Sequence, residues 1–207
     1  MTPLNAADLV VHPGQGEATA SDMKMIFRPS RLSGHFSIME GEVRPGELLA
    51  FHSHVNEDQH MYIIEGELNF EVGGVDGIRF TAGPGSHVLK PRGSSHGFWN
   101  LGDTTARYIE TSTEDGFEKF IDGRAEGLAS MLGQAQGELD MSFEIQRSLE
   151  VMKEFSLTGL AGANLPPPHE LLADSGFRKM LTTNPMVREF VLHLGGVKLR
   201  EAIGKLL

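Results

Sequence analysis

The sequence predicts a mainly β protein: an antiparallel barrel or jelly roll followed by a helical extension. Two patterns carry this expectation. Between about residue 34 and residue 112 the chain runs as short stretches rich in Phe, Ile, Val and Thr, cut at close intervals by Gly and Pro, as in an antiparallel all-β domain. After Thr111 the apolar residues move to helical spacing, as in Phe117, Phe120, Ile121 and Leu128. The length of 207 residues fits one ordinary domain with an extension, so the expected division is 1–112 for a barrel with an N-terminal arm and 113–207 for helices packed on it.

The expected strands are His35 to Val43, Leu48 to His54, His60 to Ile64, Glu67 to Val72, Ile78 to Thr81, His87 to Lys90, Ser95 to Asn100 and Ala106 to Thr111. Glycine-bearing turns at Arg44-Pro45-Gly46, Glu65-Gly66, Gly73-Gly74, Gly83-Pro84-Gly85 and Leu101-Gly102-Asp103 supply the backbone freedom that chain reversal needs. A strand number of about eight suggests closure into a barrel or jelly roll.

In the extension, Thr111 and Glu114 stand three apart and predict a capping box at the start of the first helix. A second helix is expected from about Ser142 to Phe155, with Phe143, Leu149, Val151 and Met152 as its apolar face. Gly159 to Pro168 reads as a linker, because three consecutive prolines cannot continue a helix. Further helices are expected from His169 to Leu181 and from Pro185 to about Ile203, with Asn184 as N-cap and Pro185 at the first helical position. These helices can cover the barrel mouth, build a dimer contact or cap the sheet; burial of an amphipathic stripe makes the last the simplest reading.

Composition excludes several classes. Hydrophobic residues at 40% and charged residues at 22% are those of an ordinary globular domain. Acidic residues outnumber basic ones by 28 to 18, and the formal charge of -10 repels nucleic-acid phosphates and anionic lipid. There is no cysteine, which removes disulfides, thiolate ligands and a cysteine nucleophile. No window approaches the roughly 18 apolar residues of a membrane span and the N-terminus has no signal-peptide pattern, so a cytoplasmic location is expected.

The chemistry concentrates in two stretches. GELLAFHSHVNEDQHMYIIEG, from Gly46, places His52 and His54 two apart, then Gln59 after four more residues. GSHVLKPRGSSHGFWN, from Gly85, carries Pro91, Gly93, His96 and Asn100. Side chains alternate across a strand, so His52 and His54 share one face and can enter one interior. Asn56-Glu57-Asp58 reverses the chain and brings Gln59 back near both rings, with Met61 and Ile63 on its side; His96 arrives from another strand. Such nitrogen and oxygen donors suit one divalent transition metal: iron, nickel, manganese, copper or zinc.

These two stretches resemble the paired motifs of the cupin superfamily in position and order. The second matches throughout; the first carries Gln59 where the family usually has glutamate. From Leu32 to about Phe120 the chain is similar to single-domain bacterial cupins grouped with quercetin 2,3-dioxygenase-like proteins, through EDQHMYIIEGELNFEVGG and the nearby GFEKF. The resemblance implies a double-stranded β-helix, a metal held by His52, His54, Gln59 and His96, and often a homodimer.

The remaining residues divide less sharply. His60 should face the other side of its strand in an outer hydrogen-bonding role. Glu57 reads as a solvated turn residue that could alternatively swing inward as the missing negative ligand. His12, His35, His87, His169 and His193 have no spacing partner, and Trp99 and Tyr108 read as packing residues. Phe36, Ile38, Phe51, Met61, Ile63, Val88 and Phe98 read as barrel core, and Phe36, Ile38, Met61 and Phe98 are also the candidates for lining a small-molecule substrate cavity. No catalytic base is identified, since the Gln59 amide cannot take up a proton. The expected function is a metal-dependent, dioxygenase-like oxidoreductase acting on an enolisable or phenolic substrate. A non-redox cyclase, isomerase or lyase and a non-catalytic small-molecule-binding barrel are the alternatives.

Overall fold

The computed structural model describes residues 9–123, 141–162, 172–194 and 200–204, apart from positions 20, 33, 75 and 202. An N-terminal arm gives β1 (Glu17–Ala18) and β2 (Lys24–Phe27). The barrel strands follow as β3 (Phe36–Val43), β4 (Glu47–His54), β5 (Gln59–Glu65), β6 (Leu68–Val72), β7 (Ile78–Ala82), β8 (His87–Lys90), β9 (His96–Trp99) and β10 (Ala106–Thr113). Then come α1 (Gly116–Gly123), β11 (Met141–Phe143), α2 (Ile145–Phe155), β12 (Gly159–Leu160), α3 (Ser175–Thr183) and α4 (Pro185–Leu194).

The strands form two facing sheets. One has the order β1-β2-β3-β10-β5-β8 and the other β11-β4-β9-β6-β7, with β12 parallel beside β4. This is the double-stranded β-helix. Inward residues of β3, β5 and β10 alternate with outward ones, so Met39, Val43, Met61, Ile63, Ala106 and Tyr108 meet Leu49, Leu68, Phe70 and Phe98 in one core. One glycine permits this closeness: a Cβ at Gly41 would lie 2.5 Å from the Tyr108 ring.

The strand that carries the first two histidines is irregular. Leu49 and His52 both face inward although they stand an odd number apart, because the β4–β9 register shifts between them. A bulge of this kind re-aims the side chains beyond it. Phe51 is turned out of the barrel core, contrary to expectation. With Leu48 and Trp99 it joins Leu149, Val151 and Met152 in a second cluster under α2. Phe36 and Ile38 likewise fall on the opposite face of β3 from Ser37 and Met39 and are only half-buried.

The expected barrel strands are present with ends shifted by no more than two residues. The extension differs more. Thr111 lies within β10, so it builds no capping box with Glu114. Ser142 and Phe143, expected as the start of a helix, lie in the strand Met141–Phe143, paired with His52–His54. Gly159 and Leu160, expected in a linker, pair with Glu47 and Leu48. Asn184 does cap α4, its side-chain oxygen accepting from the backbone N–H groups of Met186 and Val187. Leu128, His169 and the linker from residue 163 onward lie outside the described residues. Barrel and extension are also joined by buried Glu71, which accepts hydrogen bonds from Arg79 on β7 and Arg147 on α2 at 2.6 Å each. No described helix is long and apolar enough to cross a membrane.

Candidate metal centre

His52 and His54 project from β4, and His96 projects from β9 directly opposite His52. One ring nitrogen from each lies within 4.8 Å of the others. The ring centroids are 4.9 Å apart for His52 and His54, 4.4 Å for His52 and His96, and 5.6 Å for His54 and His96. All three residues are buried.

Each ring is oriented through Nδ1. His52 Nδ1 donates to the Ala50 carbonyl at 2.7 Å, His96 Nδ1 to the Ser94 carbonyl at 3.0 Å, and His54 Nδ1 to the Glu57 carboxylate at 2.8 Å. Such anchors fix the tautomer that leaves Nε2 with its lone pair. The Nε2 atoms of His54 and His96 are buried and have no hydrogen-bond partner among the described residues. Burial disfavours the imidazolium, and the nearby Lys90 charge adds to this, so His54 is pushed down to about 3. His96 moves in the same direction, through burial first and then its histidine neighbours and Lys90. Neutral imidazoles converging on one point are the donor set a divalent transition metal requires.

Gln59 faces the interior from β5 on the opposite sheet. It is buried, and neither atom of its side-chain amide has a partner. No Asp or Glu joins the histidine group among the described residues. Glu57 is neither solvated nor a fourth ligand donor in that group. It is buried, with one oxygen on His54 Nδ1 and the other accepting the backbone N–H of Phe117 at 2.8 Å. Of the expected cavity residues, Met61 and Phe98 lie in the barrel core, whereas Phe36 and Ile38 do not. His60 faces outward as expected, but His87 does have a partner: the two rings share a 2.8 Å hydrogen bond on the surface.

Two groups of residues at the site escaped sequence reasoning. Phe117 from α1 meets the His54 ring edge-on at 5.7 Å, Phe143 from β11 lies 5.8 Å from His52, and Phe120 contacts both phenylalanines. The extension therefore covers the histidines with an apolar surface. The second group is the fully buried pair of Lys90 on β8 and Glu110 on β10, 2.6 Å apart. Lys90 also stands 5.3 Å over the Phe98 ring. The shared parity of Val88 and Lys90 on one strand is the signal that could have revealed an inward lysine.

The barrel of this chain is a cupin domain: residues 39–112 match the cupin domain family model. Solved structures with a similar fold include an uncharacterized conserved protein with a double-stranded β-helix domain from Klebsiella pneumoniae, 15% identical, covering 69% of this chain and 97% of that one, with a TM-score of 0.42. A predicted oxalate decarboxylase from Thermotoga maritima is 22% identical over 44% of this chain and 78% of that one, TM-score 0.39. A protein from Bacillus halodurans is 18% identical over 39% of this chain, with TM-score 0.38, and the match spans 64% of its length. No curated protein matches the chain.

Proposed function

We propose that this protein is a metal-dependent small-molecule enzyme, a dioxygenase-like oxidoreductase whose enolisable or phenolic substrate binds the metal as an oxygen anion. The observation that carries the reading is the convergence of three buried imidazoles on one point. His52, His54 and His96, with the Gln59 amide, would hold the ion. A bound iron or copper ion would supply redox chemistry toward dioxygen and polarise a coordinated substrate oxygen.

The protein's own residues set the conditions for that chemistry. Phe117, Phe120 and Phe143 cover the histidines and keep bulk water from the reacting groups. Both Glu57 oxygens are engaged by N–H donors, and Gln59 cannot accept a proton, so neither is placed to act as general base. The substrate is therefore one whose acidity lets it bind already ionised, as enols and phenols do beside a cation. Dioxygenation needs no external reductant, since both oxygen atoms enter the product.

The test is elemental analysis of the purified protein, followed by oxygen-electrode and product measurements on iron- and copper-loaded protein with a panel of enolisable and phenolic compounds. Oxygen uptake that requires both metal and substrate is expected. Turnover without oxygen uptake would move the assignment to non-redox Lewis-acid chemistry, and stoichiometric metal with no turnover at all would remove the enzymatic reading.

A further inference from the structure

Opposite the histidines, four side chains stand side by side across one sheet. Ser37 on β3 is in register with Ser112 on β10, Ser112 with Gln59 on β5, and Gln59 with Lys90 on β8. All four face the interior, each no more than 1% exposed. The Ser37 and Ser112 hydroxyls and both atoms of the Gln59 amide have no hydrogen-bond partner among the described residues. Unpartnered polar atoms inside a barrel are unfavourable, and packing alone does not account for a contiguous row of them. Their arrangement is that of a wall offering both donors and acceptors to something between the sheets.

Charge narrows the partner. The histidine imidazoles and the Gln59 amide are neutral, and Lys90 is matched by Glu110 at 2.6 Å. Glu57 contributes one carboxylate against His54. A divalent ion in the site would then leave one net positive charge in a buried space, and a monoanion restores neutrality where uncompensated charge is costly. Size narrows it further. The histidines stand on one sheet and this row on the other, facing sheets are on the order of 10 Å apart, and Phe117 and Phe143 pack against the histidine rings, so any partner between them is limited to a few heavy atoms.

We propose that Ser37 and Ser112, with Gln59 between them and Lys90, form a subsite that reads a hydroxyl or carbonyl oxygen on a small monoanion, its charged oxygen turned toward the histidines: a hydroxy- or oxo-acid anion. This rests on the metal reading above, not on the enol or phenol class proposed with it, and adds two specificity-determining residues that touch neither the ion nor its anchors.

The experiment uses the full chain loaded with zinc and titrated calorimetrically with lactate and with propanoate, anions of equal charge that differ by one hydroxyl. Lactate should bind about tenfold more tightly, the equivalent of one or two neutral hydrogen bonds. Ser37→Ala combined with Ser112→Ala should bring the ratio close to one while zinc stoichiometry and propanoate affinity hold. Because each change deletes only an unpartnered hydroxyl, the thermal midpoint should not fall; if the double variant does not fold, Ser112→Ala alone, in the middle of the row, carries the same ratio test. An undiminished lactate preference in the variant overturns the subsite, as does methylmalonate dianion binding above both monoanions, or a wild-type ratio of one. Failure of zinc to bind at all overturns the metal reading instead, so the two failures are distinct.

Discussion

Glu57 accepts a hydrogen bond from His54 Nδ1 at 2.8 Å, and its other oxygen takes the backbone N–H at Phe117, also at 2.8 Å. One buried carboxylate therefore orients the His54 ring and holds the first turn of α1 against the barrel. A Cβ at Gly116 would come within 3.1 Å of the same carboxylate, so the chain leading into the helix is fitted closely around it.

Glu57→Gln is therefore expected to weaken zinc affinity about 10- to 100-fold, the usual consequence of losing a carboxylate behind a ligating histidine. Glu57→Ala should in addition expose the Phe117 amide. Competition with a chelator reads the first effect and hydrogen exchange the second. Unchanged zinc affinity in both variants would mean that Glu57 serves the helix alone.

Burial also sets the pH response of the metal-free protein. His54 is held at about 3, against an ordinary value of 6.5 in the unfolded chain, so below pH 6.5 the unfolded state takes up a proton that the folded state refuses. The stability present above pH 6.5 is then lost as pH falls toward 3, by up to about 1.4 kcal/mol per pH unit for this one group, with His96 acting in the same direction. Urea unfolding between pH 6.5 and 5, above the main carboxylate range, should show a rising midpoint with rising pH, and His54→Gln should reduce the slope to the part that His96 carries. An equal slope in wild type and variant would show that His54 titrates normally.

How much of this was legible beforehand follows from what a one-dimensional pattern can carry. The histidine site was readable because a strand puts residues two apart on one face whatever its neighbours do, which is why His52 and His54 share the interior and His96 meets them. The same alternation puts Phe51 outside once His52 is inside; what it does not give is that Leu49 faces inward as well, since that depends on a bulge in the pairing of β4 with β9. Glu57 looked like a solvated turn residue because turns usually lie at the surface; here α1 folds over the turn, and a contact sixty residues along the chain decides the outcome. Met141–Phe143 and Gly159–Leu160 are too short to show a period of two, and their strand character comes from the edge of β4 that they complete. Lys90 was passed over because lysine rarely enters a core unless paired, and its partner Glu110 lies on another strand.

That pair gives a third expectation. Lys90 and Glu110 are fully buried and in contact at 2.6 Å, so Lys90→Met leaves the Glu110 carboxylate charged and uncompensated. The loss should be about 3–5 kcal/mol in urea unfolding near neutral pH, whereas Lys90→Met with Glu110→Leu should recover most of it. If the double variant were no more stable than the single one, the pair would not be a compensated unit, and the charge count that selects a monoanion would need revision.

The residue at position 59 offers the sharpest separation of metal binding from packing. A glutamate there would add a negative donor to three neutral imidazoles and should tighten zinc binding by on the order of tenfold, comparable to one added charged contact. Without metal the same carboxylate lies buried with no partner, since the Gln59 amide it replaces has none, and it should lower the thermal midpoint. Gln59→Glu is thus expected to move stability in opposite directions: down for the metal-free protein, up for the zinc-loaded one relative to wild type in the same state. Scanning calorimetry of both forms decides it. If Gln59 only packs the interior and never meets the ion, the substitution destabilises both forms alike, and no zinc concentration reverses the sign.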